Sequence, residues 1–145
     1  MATSMPRRRS WRLARLWHAG VLAAIVAVAL NVVIYLSADA LGASFVVQPP
    51  NREPSEVTAS GVVVLTAVPL MIATVVYGVL RRFTRRAFRV FVVLALVVFL
   101  LLLIPPLGAA QELSTAAALI LMHVVATGSI LGALALFERS TFPGT

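Results

Sequence analysis

Arg81-Arg82-Phe83-Thr84-Arg85-Arg86-Ala87-Phe88-Arg89 sets five arginines in nine residues, between apolar runs at about 61–80 and 90–107. A guanidinium stays charged at any physiological pH and is costly to place in hydrocarbon. The stretch therefore cannot belong to a membrane span. It divides two spans and marks the side of the bilayer on which they meet.

The whole composition agrees with a lipid environment. The 145 residues are 61% hydrophobic and 12% charged, where soluble domains carry about a quarter charged residues and under half apolar ones. A globule of this size buries only part of its surface, so lipid is the solvent that accommodates the excess. Twelve arginines, no lysine and five acids give a net charge of +7. Basicity carried by arginine alone, with heavy use of Ala, Val and Leu, points to a GC-rich bacterial genome. The absence of cysteine excludes disulfides, thiolate metal sites, thiol nucleophiles and lipidation of a Cys.

Upstream of the arginine turn, the span at about 61–80 holds Thr66, Pro69, Thr74 and Tyr77. Pro69 removes one backbone hydrogen bond and predicts a kink. Downstream, the span at about 90–107 is nearly pure Val, Leu, Phe and Ile. With no polar face it is expected to show most of itself to acyl chains, and Pro105-Pro106 is expected to end it. A short loop carrying Glu112 leads to a span at about 115–137. There Gly128 and Gly132 form a G-x-x-x-G pair, a pattern that permits close helix packing.

The first span, about 19–38, is long enough at ~1.5 Å per residue to cross a ~30 Å hydrocarbon core. A cleaved signal peptide with Ala38-Asp39-Ala40 as its site is the rival reading. Signal h-regions run only ~7–15 residues, whereas this run is longer and carries Asn31, so it is read as a retained span. Before it lies a basic arm, residues 1–17, with Arg7, Arg8, Arg9, Arg12 and Arg15 interleaved with Trp11 and Trp17. From Trp11 its pattern fits an interfacial helix beside a membrane better than a nucleic-acid patch. Residues 39–58 hold Pro49, Pro50 and Pro54, which disfavour helix. They are read as a connector whose Phe45-Val46-Val47 folds back to the interface, with a ligand lid as the alternative.

The expected fold is an all-α, integral membrane four-helix bundle: arm 1–17, membrane domain 18–138, tail 139–145. Four spans put both termini on one side. Eleven of the twelve arginines fall on that side and only Arg52 on the other, whereas Asp39, Glu53, Glu56 and Glu112 lie opposite. Positive-inside asymmetry makes the termini and the 81–89 turn cytoplasmic, in a bacterial cytoplasmic membrane. Arg7, Arg8, Arg9, Arg12, Arg15, Arg81, Arg82, Arg85, Arg86 and Arg89 are then candidates for anchoring to anionic headgroups, at about 1 kcal/mol each near the surface.

Depth along this threading places Asn31, Thr66 and His123 in one layer of the outer half-membrane, with Thr127 one turn from His123. Polar groups in hydrocarbon must find partners. The simpler reading is interhelical glue, an Asn–His or Asn–Thr bond of about 0.6–2 kcal/mol. The alternative is a small ligand or proton site with His123 titrating and Asn31 orienting it. No carboxylate falls inside the expected spans, His18 sits at the opposite side from His123, and no phosphate-cradling Gly loop or nucleophile–base pair occurs. No enzyme, metal site or cofactor is expected, and no nucleic-acid partner.

The run Ala118-Leu119-Ile120-Leu121-Met122-His123-Val124-Val125-Ala126, the late Asn31 of span one, the Pro-rich outer loop and Pro105 resemble a family of actinobacterial membrane proteins, domain of unknown function 6069. The likeness covers about residues 14–137. It implies a compact four-span protein with no assigned chemistry, and carries over Asn31, Pro105, Met122 and His123 by position; the arginine-rich arm exceeds the family's pattern. The expected role is an accessory or interaction subunit that packs against other membrane proteins or itself. The alternative is a small carrier or ligand-binding protein using the Asn31–His123 layer.

Overall fold

The computed structural model describes residues 7–48, 51–110 and 112–141, with side chains from residue 13 onward. The side chains of Arg7, Arg8, Arg9, Trp11 and Arg12, and the tail from Phe142, lie outside the described residues. The chain runs α1 (Arg7–Ala40), β1 (Val46–Val47), β2 (Ser55–Glu56), α2 (Ala59–Phe83), α3 (Ala87–Leu102), α4 (Ile104–Ala109) and α5 (Leu113–Thr141). Four segments are long and apolar enough to cross a membrane: Leu13–Ala40, Ala59–Phe83, Ala87–Ala109 and Leu113–Thr141. The protein is an all-α four-helix transmembrane bundle. In lipid every backbone polar group needs an internal partner, and runs of Val, Leu and Ala meet that demand as helix.

Two boundaries differ from the sequence expectation. The basic arm is not a separate interfacial element: α1 is one helix of 34 residues starting at Arg7. At ~1.5 Å per residue it is about 50 Å long, so its arginine end projects past a ~30 Å core. Likewise α5 continues to Thr141 and carries Glu138 with it. Pro105-Pro106 also behaves differently. Helix α3 stops at Leu102, before the prolines, and they fall in the first turn of the short α4, where a missing N–H leaves no bond unmade. Pro69 lies inside α2 on an exposed face.

Helix α1 is the centre of the bundle, packed along α5 on one side and α2 on the other, while α3 touches α2 and α5 more sparingly. Only 11% of the most apolar stretch of α3–α4 is buried, against 33% for α1, so the third span is the most exposed of the four. Gly20 is what lets α1 and α2 approach. A Cβ there would lie 2.5 Å from Cγ2 and 2.9 Å from Cβ of Thr74. Helices α2 and α3 are joined by a tight turn. Thr84 takes an extended conformation, its N–H donates to Leu80 O at 2.9 Å, and its Oγ1 accepts from Arg86 N at 3.2 Å.

At the opposite end residues 41–48 and 51–58 fold back over the helices. Val46 pairs with Glu56 and Val47 with Ser55, antiparallel, and Val47 also bridges to Ala110. Phe45, 1% exposed, stacks on Tyr35 with ring centroids 4.5 Å apart. Its φ of 51° lies in the left-handed region, uncommon for a bulky residue. Its N–H donates to Thr115 Oγ1 at 3.2 Å and its carbonyl accepts from Val57 N at 2.9 Å; these bonds hold the strained backbone in place. Glu112 Oε2 accepts from Ser44 N at 3.2 Å. The start of α5 thus pins the segment. It is more than a passive connector.

Candidate functional site

Polar side chains in the bundle interior gather at two levels. The first lies where two apolar clusters meet. Ala27 and Leu70 belong to the cluster toward the arginine end, Tyr35 and Val62 to the one toward the β-strands. Asn31 and Thr66 occupy the rungs between them, one helical turn from each. Asn31, 2% exposed, donates from Nδ2 to Thr66 Oγ1 at 3.0 Å. Its Oδ1 is buried and has no partner.

His123 does not complete this pair. Its Nδ1 lies 2.7 Å from Leu119 O; a carbonyl has no proton to give, so Nδ1 donates and the ring is tied to its own helix. Thr127 is partly buried one turn further along. Of the four residues predicted to form the layer, hydrogen bonding joins Asn31 to Thr66 only. Gly128 and Gly132 face outward, with nothing within 4 Å of where a Cβ would sit, so they pack against no other helix of this chain.

The second level is at the arginine end, and sequence reasoning missed it. Tyr77 is wholly buried. Its ring meets Phe91 edge-on at 5.3 Å and Phe137 at 6.5 Å. Its hydroxyl donates to Glu138 Oε1. Arg81, one turn beyond Tyr77, places Nε 3.7 Å from the same oxygen and its guanidinium carbon 5.2 Å over the Phe137 ring. One carboxylate on α5 thus receives a phenol and a guanidinium from α2. Glu138 is thereby tied to α2, and Arg81 is not turned wholly to the headgroups. Arg82, Arg85, Arg86 and Arg89 are exposed, as anchoring requires. Arg15 donates from Nη2 to Ser140 Oγ at 3.0 Å, linking α1 to α5 at the same end. These contacts bring α1's amino end, the 81–89 turn and the carboxy end of α5 together. Among the described residues no group of three His, Asp or Glu side chains could hold a metal ion.

A family model described as a family of unknown function (DUF6069) matches residues 11–140. The chain belongs to that family. No curated protein and no solved structure matches it. DUF6069 membership therefore comes with no assigned chemistry. Of the positions carried over from the family resemblance, Asn31 holds the buried bond and Met122 lies in the core beside Tyr35 and Phe45. Pro105 lies in the first turn of α4, and the His123 ring bonds Leu119 O of its own helix.

The Tyr77 cluster did leave a sequence signal. Tyr77 and Arg81 stand at i and i+4, hence on one face. Glu138 is the one acid on the basic side of the chain. Asking where its charge goes leads to that face.

Proposed function

We propose that this chain is a non-enzymatic accessory or interaction subunit of the bacterial cytoplasmic membrane, with both termini and the Arg81–Arg89 turn in the cytoplasm. The observation that carries this reading is how the bundle uses its polar groups. Asn31 binds Thr66, Thr74 binds Leu70 O, His123 binds Leu119 O, and Tyr77 with Arg81 binds Glu138. Each contact joins or stiffens helices of this chain, and none arranges a nucleophile beside a base. The outward side of α5 at Gly128 and Gly132 and the bare third span offer apolar, close-approach surfaces of the kind that membrane subunits use. Eleven arginines on one side support the threading.

One observation favours the second reading, a small carrier or ligand-binding protein: Asn31 Oδ1 is a buried acceptor without a partner. Purification in mild detergent followed by mass spectrometry separates the two. A stoichiometric protein partner, lost on Gly128→Leu and Gly132→Leu, is the expected result. A small molecule lost instead on Asn31→Leu establishes the carrier reading.

A further inference from the structure

Between α1 and α5, at the arginine end, a groove of about 540 Å³ runs along the lipid-facing side of the bundle. Its floor is made by small residues, Ala19 and Ala23 on α1 against Ser129 and Ala133 on α5. Its walls are Leu22, Val26 and Leu136, which are 61%, 44% and 66% exposed. The basic side chains lie at one end, where Arg15 and His18 form the mouth with Ser140; below it Ser129 is the sole polar residue of the lining.

We infer that this groove binds one anionic phospholipid, with an acyl chain along the Ala19–Ala133 trough and the phosphate at Arg15. Three observations converge on that occupant. First, the length fits. From Arg15 to Val26, and equally from Ser140 back to Ser129, eleven residues at ~1.5 Å each give about 16 Å, roughly one leaflet of a ~30 Å hydrocarbon core. Second, the polarity fits, being charged only where headgroups lie and, Ser129 apart, apolar below. The volume also falls in the range of small-molecule sites, about 300–1,000 Å³. Third, the mouth is built. Ser140 Oγ accepts from Arg15 Nη2 at 3.0 Å and donates to Phe137 O at 3.0 Å, which holds the guanidinium across the α1–α5 seam.

His18 adds a preference among headgroups. Its Nδ1 lies 2.6 Å from Ala14 O and must donate, since the carbonyl cannot. In the neutral ring Nε2 is then an acceptor, suited to a headgroup hydroxyl. The other basic hollow, lined by Arg81, Arg82, Arg85 and Glu138, has a carboxylate in its wall and no apolar trough, so it lacks this fit. The inference goes beyond the accessory role and stands whether or not a protein partner exists.

The test uses the full chain, delipidated in mild detergent and titrated separately with phosphatidylglycerol, phosphatidylcholine and inorganic phosphate. Native mass spectrometry counts bound lipid and a melting curve reads stabilisation. Phosphatidylglycerol is expected to bind at one per chain, about tenfold tighter than phosphatidylcholine, whose choline cation offsets the phosphate charge at Arg15 and offers no hydroxyl to His18. Arg15→Gln should lose about that factor, Ala133→Phe should fill the trough and lose the lipid, and Arg52→Gln, exposed, away from the groove and outside the anchoring arginines, should bind as the parent does. Should Ala133→Phe fail to fold, Arg15→Gln decides, because it changes an exposed side chain. Equal binding of the two lipids, equal loss in Arg52→Gln, or full stabilisation by inorganic phosphate alone would each overturn the assignment.

Discussion

Gly20→Ala should destabilise the bundle far more than the same change at Gly132. The added Cβ at position 20 would sit 2.9 Å from Thr74 Cβ and 2.5 Å from its Cγ2. Carbon–carbon contacts settle at about 3.5–4.0 Å, so α1 and α2 must part by close to 1 Å. Thr74 has no easy way to yield. Its Oγ1 donates to Leu70 O at 2.9 Å, so turning χ1 forfeits that bond, and Cβ cannot move without the backbone. Overpacking of this kind costs about 1–3 kcal/mol. Gly132→Ala meets nothing within 4 Å and shares whatever helix-propensity gain the change brings, up to ~1 kcal/mol. The difference between the two variants, about 2 kcal/mol, therefore isolates the clash.

Equilibrium unfolding in mixed micelles, titrated with a denaturing detergent and followed by circular dichroism, measures it. Thr74→Ala removes Oγ1 and Cγ2 but leaves Cβ, so in the Gly20→Ala background it should restore about 1 kcal/mol, a coupling of the size seen between residues in contact. If Gly20→Ala is as stable as Gly132→Ala, or Thr74→Ala restores nothing, the close approach of α1 and α2 at this point is refuted.

Tyr77→Phe leaves Glu138 without its phenol donor and should cost about 1–3 kcal/mol in the same assay; unchanged stability would mean that the cluster does not hold α2 to α5. Thr66→Val strands both ends of the buried Asn31 amide and should be worse than Asn31→Leu, while the double variant, which removes every polar atom of the pair, should recover to within about 1 kcal/mol of the parent. His123→Phe should show no coupling to Asn31→Leu in a double-mutant cycle, since His123 is bonded to Leu119 O; a coupling above about 0.5 kcal/mol would restore the three-residue layer. With no native cysteine to interfere, Cys at Ser55 should react with an impermeant thiol reagent in intact cells and Cys at Thr84 should not, and the opposite pattern would reverse the threading.

What the sequence made legible is depth. Hydropathy and the arginine turn locate the four spans, and counting residues from their ends put Asn31 and Thr66 at one level, where they do bond. Rotation about each helix axis was not legible. A soluble helix announces its inner face by polar residues on the other side, but in lipid both faces are apolar and that contrast disappears. Hence His123 fell at the expected depth yet faces its own backbone, and Gly128 and Gly132 drew attention while the close approach belongs to Gly20. The Phe45 plug and the β1–β2 pairing depend on contacts with Thr115 and Ala110, more than sixty residues away in sequence, for which local pattern carries no signal. The reach of α1 back to Arg7 was hidden because arginine is as good a helix former as most apolar residues, so nothing marks a boundary at the arm.

The interior polar contacts explain how such featureless helices find a single arrangement. Between helices in lipid no hydrophobic force selects a register; one-turn slips of α1 along α2 would exchange one set of Ala and Leu contacts for another. Gly20 against Thr74 and Asn31 against Thr66 lie on one face of α1, eleven residues apart, and both belong to the same α1–α2 interface. A slip of one turn, about 5.4 Å, would bring Leu16 or Ala24 toward Thr74 and part Asn31 from Thr66. Tyr77 with Glu138 fixes α2 on α5 in the same way, and Arg15 with Ser140 fixes α1 on α5. Each pair of adjoining helices in the triad thus carries its own polar mark. Among the described residues the interior is then accounted for as a device for unique assembly, apart from Asn31 Oδ1 and Thr141 Oγ1, which are buried without partners. The α1–α5 groove, whose mouth is the Arg15–Ser140 mark itself, and the glycine side of α5 are where this bundle has chemistry left to offer.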